Sequence, residues 1–295
     1  MYKTGQASIT VIIPTHNRAR LLPRALASIE RQTLKPTEIV LVDDGSTDDT
    51  HEVITQNFSS VNYLYQSQLG VSAARNAGVA VSSSDWIAFL DSDDEWSSKK
   101  LACQWGALLR QPDIHICHTD EVWIRNGRRV NPMHKHAKMG GWIYPKCLPL
   151  CVISPSSIMI RRTVFLELGG FDETLPACED YDLWLRLSAR YPVLYLADKL
   201  ITKYGGHTDQ LSRRHWGMDR FRITALEKML LSGILSTENT KATLEMLRKK
   251  IAILLNGSMK RQQSEDIDFY SAKLEHWTQI GIEAYDQNQS RNSLH

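Results

Sequence analysis

Four apolar, β-branched runs in the first third of the chain, each ending in a polar cluster, constrain the fold more than any other feature of its 295 residues. Ser8-Ile-Thr-Val-Ile-Ile-Pro14 breaks at Thr15-His-Asn-Arg18. Glu38-Ile-Val-Leu-Val42 breaks at Asp43-Asp-Gly-Ser-Thr47. Val61-Asn-Tyr-Leu-Tyr65 leads to a turn at Gly70, and Trp86-Ile-Ala-Phe-Leu90 ends in Asp91-Ser-Asp93-Asp94. Short apolar runs bounded by turn residues read as strands, the first, second and fourth of them buried. Between them, apolar residues recur at helical spacing. They are Leu21, Leu22, Ala25, Leu26 and Ile29 in the first gap, Val53 and Ile54 in the second, and Ala73, Ala74, Ala77 and Val81 in the third. Strand and helix alternating over short connections predict an α/β fold with a mainly parallel, Rossmann-like sheet and helices on both faces. All four polar clusters then share one sheet edge, where open α/β sheets form their ligand crevices.

The fourth cluster carries the sharpest chemistry. Three carboxylates within four positions repel one another, and a cation between them removes that penalty. Hard divalent ions such as Mg²⁺ and Mn²⁺ prefer oxygen ligands. The competing reading is an acidic turn that caps the next helix, a role assigned here to Asp94. No G-x-G-x-x-G follows the first strand and no G-x-x-x-x-G-K-[ST] occurs anywhere, which disfavours dinucleotide and P-loop chemistry.

After a helix over 99–109, the pattern changes. His115 to Ile124 alternates like a strand and Asn126-Gly127 signals a hairpin, so antiparallel structure begins here. A basic stretch follows (Arg128, Arg129, His134, Lys135, His136, Lys138), then strand-like residues 156–161 and a short helix stopped by Gly169-Gly170. Glu179-Asp180 opens a further helix, where the helix dipole favours acidic residues. Its apolar face is Leu183, Trp184 and Leu187. Residues 193–203 read as a strand, followed by Gly205-Gly-His207. From about residue 216 the pattern is helical only. Leu244, Leu247, Ile251 and Leu254 line one face of a helix and Arg248, Lys249 and Lys250 the other. Such a helix packs on its own domain or a partner, or lies on a membrane.

Composition excludes several classes. A formal net charge of +2 lacks the signature of a nucleic-acid binder. Five scattered cysteines fit free thiols in a reducing compartment. Cys147 and Cys151 with His134 and His136 match no common zinc spacing. No signal peptide is visible and no apolar run approaches the roughly 18 residues that span a bilayer. A cytoplasmic protein, able to sit peripherally on the inner face of the membrane, is expected.

Five segments in order carry a resemblance: Pro14-Thr-His-Asn-Arg18, Asp43-Asp-Gly-Ser-Thr47, Gly70-Val-Ser-Ala-Ala-Arg75-Asn76-x-Gly78, Leu90-Asp-Ser-Asp-Asp94, and Gly169-Gly-Phe-Asp-Glu173 with Glu179-Asp180. Over roughly residues 8–210 the chain resembles the inverting family 2 glycosyltransferases of the GT-A fold. Ser82 to Asp85 and Ser97-Ser98 depart from that family's usual Gly and Pro without touching a chemical role. The resemblance implies a GT-A domain over 1–210, with a nucleotide-sugar-binding half over 1–110 and an acceptor and catalytic half, partly antiparallel, over 111–210. Residues 211–295 form an added C-terminal helical region, through which a homodimer can form.

What the resemblance implies for the site follows residue by residue. The donor is a nucleotide-sugar such as a UDP-sugar, and the acceptor a saccharide or lipid-linked hydroxyl, as in surface polysaccharide synthesis; no nucleic acid takes part. Asp44 bonds the base, with Pro14, Thr15, Asn17, Arg18 and Asp43 around it. Gly70, Arg75 and Asn76 face the nucleotide or diphosphate. Asp91 touches ribose and metal, Asp93 is the main ligand of Mn²⁺ or Mg²⁺, and His207 can complete the metal shell. Asp180 is the general base, Glu179 the alternative, and Trp184 can stack on the acceptor sugar. The chemistry is coherent: a metal stabilises the departing diphosphate, one carboxylate takes the acceptor proton, and single displacement needs no second. The first rival, an aspartyl-phosphate phosphatase, would need Thr or Val where Asp94 stands. The second, a non-catalytic nucleotide-sugar-binding or scaffold subunit, is disfavoured by Asp180.

Overall fold

The computed structural model describes residues 7–206 and 217–292. Strands β1 (Ile9–Thr15), β2 (Glu38–Asp44), β3 (Asn62–Gln66) and β4 (Trp86–Phe89) lie parallel in the order β3-β2-β1-β4. Helices α1 (Leu22–Glu30), α2 (Thr50–Asn57) and α3 (Val71–Val81) connect them. Every residue of β1 is buried, because helices cover both faces of a central parallel strand. Gly78 records how close α3 comes. A Cβ there would lie 2.6 Å from Ile12 Cγ2 and 3.2 Å from Val42 Cγ2, so only glycine fits between helix and sheet.

The sheet then changes character. Beyond β4 the order continues through β8 (Met159–Arg161), β6 (Ile116–Arg125), β9 (Leu194–Gly205) and β5 (Glu95–Trp96). β8 runs antiparallel to β4 and β6, β9 parallel to β6, and β5 antiparallel to β9. β7 (Arg128–Val130) closes the predicted hairpin on β6. The two-residue β5 is absent from the sequence reading; it follows the acidic cluster directly and hooks it to β9 on the far side of the sheet. Residues 155–157 form a 3-10 turn instead of the start of a strand, since Pro155 has no N–H to give a ladder.

The two faces carry separate cores. On one, Ile9, Val11 and Ile13 pack with α1 and with α4 (Lys100–Leu109). On the other, Ile12 and Phe89 pack with α6 (Arg162–Glu167) and α7 (Glu179–Ser188). That second core continues into α8 (Asp219–Leu231) and α9 (Thr237–Arg261), and takes Tyr270 and Trp277 from α10 (Ser264–Asn292). α5 (Tyr144–Cys147) joins it too, its Tyr144 hydroxyl bonded to Thr243 Oγ1 at 2.7 Å. Leu247 and Ile251 are fully buried, Arg248 donates to the carbonyls of Trp277 and Thr278, and Lys250 donates to the Pro149 carbonyl. The α9 face expected to pack on its own chain does so, and two of its three basic residues are engaged there. Among the described residues no helix is long and apolar enough to cross a membrane, and all five cysteines are free. The expected boundary at 210/211 and His207 lie outside the described residues.

Candidate functional site

The C-terminal ends of β1 and β2 build a polar floor. Asp43 is buried; its Oδ1 accepts from the Ser46 N–H at 2.8 Å and its Oδ2 from the Tyr63 hydroxyl at 2.6 Å. Asp44 Oδ1 accepts from Gln66 Nε2 at 2.7 Å and from the Leu69 N–H at 2.8 Å, and Oδ2 from the Gly70 N–H at 2.8 Å. Asp44 therefore fixes the turn into α3, where Gly70 adopts φ 100°. Asn17, at φ 53°, accepts from the N–H groups of Thr47 and Asp48 and ties the first loop to the second. Pro14 stands opposite Val42 in the ladder. Thr15 Oγ1 is buried beside this floor with no hydrogen-bond partner.

The acidic loop forms the next wall. Arg18 Nη1 lies 3.8 Å from Asp93 Oδ2, and Arg24 donates to the Asp93 carbonyl while its guanidinium stacks 3.6 Å over the Tyr204 ring. Burial and the neighbouring Asp91 raise the Asp93 carboxyl, with Arg18 and Lys203 opposing. Asp94 is no helix cap. α4 begins at Lys100 behind Lys99, without a side-chain cap. Asp94 instead turns inward, accepting from Ser156 Oγ at 2.6 Å and from the Tyr204 N–H at 3.3 Å. Burial pushes its carboxyl up to about 8, Lys203 working against this and Asp93 and Asp91 adding to it.

Arg75 occupies a position different from the expected one. Its guanidinium is buried, donating from Nη2 to Asp91 Oδ1 at 2.7 Å and from Nη1 to Glu179 Oε1 at 2.8 Å. A guanidinium held between two carboxylates is a brace rather than a free phosphate ligand. Asn76 is also structural. It accepts from the Phe171 N–H at 3.0 Å and donates to the Phe171 carbonyl at 2.9 Å. Gly170, at φ 68°, leaves room for it, since a Cβ there would sit 2.7 Å from Asn76 Oδ1. The Gly-Gly-Phe-Asp segment is thereby locked to α3.

α7 delivers the remaining carboxylates. Cys178, just before it, is left-handed at φ 63°, a conformation that costs a β-carbon residue about 1–2 kcal/mol. Glu179 faces Arg75 and is 6% exposed, so the alternative base is tied down. Asp180 is half-buried; its Oδ2 accepts from Cys151 Sγ at 3.0 Å and its Oδ1 from the Tyr181 N–H at 2.7 Å. Burial and Asp180 hold Cys151 well above the ordinary thiol range, so it stays a donor. Trp184 is buried: it is 1% exposed and its Nε1 donates to the Ile153 carbonyl at 2.9 Å.

One charged residue at the centre escaped the sequence reading. Lys203, on β9, donates to Ser154 Oγ at 3.2 Å. Burial alone would lower its pKa, but Asp94, Glu121, Asp91 and Asp180 around it hold the ammonium well above its ordinary value. Glu121 accepts from Lys138 Nζ at 2.9 Å and from Ser154 Oγ at 2.7 Å. Burial would raise its carboxyl, yet Lys138 and Lys203 hold it down to about 2.

The residues suit a divalent ion shared with a ligand. Among the described residues, no three His, Cys, Asp or Glu side chains converge to enclose a metal by themselves. Asp91 and Asp93 would offer carboxylate oxygens to it, Asp93 being raised by burial and by Asp91 beside it. Mg²⁺-type sites commonly use one or two carboxylates and complete the shell with water and substrate phosphates, which matches this donor set.

Comparison with known proteins agrees with this geometry. The profile described as Glycosyl transferase family 2 matches residues 10–169, and that described as Glycosyltransferase like family 2 matches residues 143–227. An uncharacterized glycosyltransferase of Rickettsia felis is 31% identical over 269 residues, covering 89% of this chain and 44% of its own. The UDP-Glc:alpha-D-GlcNAc-diphosphoundecaprenol beta-1,3-glucosyltransferase WfgD of Escherichia coli is 29% identical over 181 residues, covering 61% and 69%. The chain spans only 27–44% of the length of three Rickettsia relatives. S. aureus TarS 1-349 in complex with UDP-GlcNAc superposes with a TM-score of 0.64 at 17% identity, covering 92% of both chains. The mannosyltransferase PcManGT from Pyrobaculum calidifontis, in complex with GDP-Man and Mn²⁺, gives 0.63 at 16% identity, covering 93% and 85%. At such identities the likeness is one of fold, and the fold is GT-A.

Proposed function

This chain belongs to glycosyl transferase family 2, and we propose that it moves a sugar from a nucleoside-diphosphate donor, a UDP-sugar, to a hydroxyl of a saccharide or lipid-linked acceptor, with inversion. The observation that carries this reading is the division of labour in the first turn of α7. Arg75 immobilises Glu179, while Asp180 beside it stays half-buried and faces Lys203 and Cys151. One available carboxylate suits a single displacement, whereas retention needs a nucleophile as well. The UDP-Glc and lipid diphosphate in the name of WfgD support the donor and acceptor classes and a role in surface polysaccharide synthesis.

The roles follow from placement. Asp43, Asp44 and Asn17 hold the loops that floor the base pocket, with Thr15 at the end of β1 beside them. Asp93 and Asp91 would hold Mn²⁺ or Mg²⁺, which would supply positive charge to the departing diphosphate. The acceptor hydroxyl gives its proton to the Asp180 carboxylate as its oxygen attacks the anomeric carbon. Lys203 places a buried positive charge among Asp91, Asp94 and Asp180. In this reading residues 1–110 bind the donor, 111–210 the acceptor, and the helices beyond 211 support the acceptor half. Nucleotide release from UDP-sugars with Mn²⁺ and candidate acceptors tests it. Asp180→Asn should lower turnover by about 10²- to 10⁴-fold with donor binding retained; turnover near wild type in that variant removes Asp180 as base.

A further inference from the structure

Between Val122 and Leu166 the chain carries eight Lys and Arg and not one Asp or Glu, while the other 250 residues carry 27 Lys and Arg against 33 Asp and Glu. The fold leaves much of this charge at the surface. Arg125, Arg128, Arg129, Lys135 and Lys146 are all exposed, and none has an ion pair among the described residues. Met133, Met139 and Trp142 lie in the same stretch at 61%, 39% and 67% exposure.

The backbone beneath these side chains is clamped. Lys138, the one buried cation of the segment, pairs with Glu121 on β6. The Met139 carbonyl meets His118 Nε2 at 2.9 Å, Gly141 bridges Val193 next to β9, and His136 packs edge-on against Trp123. Rigid backbone with outward-facing apolar tips is not how a chain leaves a surface it keeps in water.

We infer that this segment, from the β6–β7 hairpin to Trp142, docks on an anionic phospholipid surface. Unpaired cations near such a surface each gain about 1 kcal/mol from its potential. Tryptophan settles at headgroup level, and exposed methionine side chains find acyl chains beneath. A nucleic acid would satisfy the charges but offers the methionines nothing. Attachment of this kind is peripheral, in keeping with the absence of a membrane-crossing helix among the described residues. The inference stands apart from the proposed reaction, since vesicle binding is read without turnover.

The test is flotation of the full chain with vesicles of phosphatidylcholine alone or mixed with phosphatidylglycerol. Binding should require the anionic lipid and weaken as salt rises. The triple variant Arg128→Gln/Arg129→Gln/Lys135→Gln should lose roughly a hundredfold in partitioning, about fivefold per charge. Trp142→Phe should abolish the quenching of tryptophan fluorescence by brominated acyl chains. Lys249→Gln/Lys260→Gln, on the exposed side of α9, should bind as wild type. Equal binding to neutral vesicles, undiminished binding by the triple variant, or loss of binding in the α9 variant overturns the inference. So does displacement from vesicles by a single-stranded polynucleotide at lower concentration than the lipid itself.

Discussion

Glu179 is bound to Arg75 by a buried ion pair of 2.8 Å, and the same guanidinium holds Asp91 at 2.7 Å. The acidic loop after β4 and the helix that carries Asp180 are therefore one mechanical unit. Removing a partner from a buried ion pair typically costs about 3–5 kcal/mol, because the remaining charges lose compensation. Arg75→Ala should lower stability by about that amount, seen as a fall in the urea midpoint with an unchanged slope. Glu179→Gln, which keeps a hydrogen-bond acceptor for Arg75, should cost less and retain measurable transfer. If Glu179→Gln abolished transfer while leaving stability intact, the brace would have to be read as the base after all.

Asp93 carries the metal prediction. Asp93→Ala should remove the Mn²⁺-dependent part of donor binding, read as the loss of the extra thermal stabilisation that Mn²⁺ and a UDP-sugar give together. Chelation should do the same to the wild type. An equal Tm rise with and without Mn²⁺ in both proteins would sink the assignment.

Lys100 gives a pH prediction away from the site. Its Nζ is buried with no hydrogen-bond partner, 3.9 Å from the centre of the Trp96 ring. Burial lowers its pKa from 10.5 to about 7, with Cys117 opposing weakly. The unfolded chain therefore binds a proton that the folded chain has released across that window, so stability from this residue rises with pH from about 7 to 10.5 and is lost as pH falls. Lys100→Met removes the dependence. Its gain over wild type should be largest near neutral pH and shrink towards pH 10, which urea unfolding at a series of pH values will show. A gain independent of pH would mean that the lysine stays charged inside.

Trp184 separates packing from recognition. With its indole N–H on the Ile153 carbonyl and 1% exposure, Trp184→Phe should cost roughly 1–3 kcal/mol of stability. The KM for the acceptor should stay where it is. A raised KM with unchanged stability would restore the stacking role that its spacing from Asp180 implies.

What the sequence reveals here depends on how local the signal is. β1, β2 and β4 are legible because strands buried in the sheet are apolar along most of their length, while the part-exposed edge strand β3 shows through its flanking turns; the closeness of Asp91 and Asp93 is legible because only Ser92 separates them. β5 is two residues and has no period to detect. Lys203 stands in a strand next to a turn, where a lysine reads as solvated. Its four carboxylates come from β6, α7 and the acidic loop, and only the pairing of β6 with β9 assembles them. The family resemblance points Arg75 and Trp184 to ligand contact, yet their partners, Glu179 and the Ile153 carbonyl, are distant in sequence. Asp94 is misread for the same reason: its bonds to Ser156 and Tyr204 reach across the sheet.

The core behind α7 has a consequence for how such enzymes diverge. Tyr181, Leu185 and Trp184 pack into the same cluster as Ile223, Leu226, Leu247 and Ile251 from the closing helices. Lys228 of α8 reaches back to Asp172 and Asp182, and Lys250 of α9 to the Pro149 carbonyl. The tail is thus not an interchangeable module attached to a finished catalyst. A recombinant joining the first half of this chain to another lineage's helices inherits a mismatched backing for α7 and its Asp180. Changes of substrate that rebuild the tail must then be accompanied by substitutions along the hidden side of α7, and the two sets of positions should drift together.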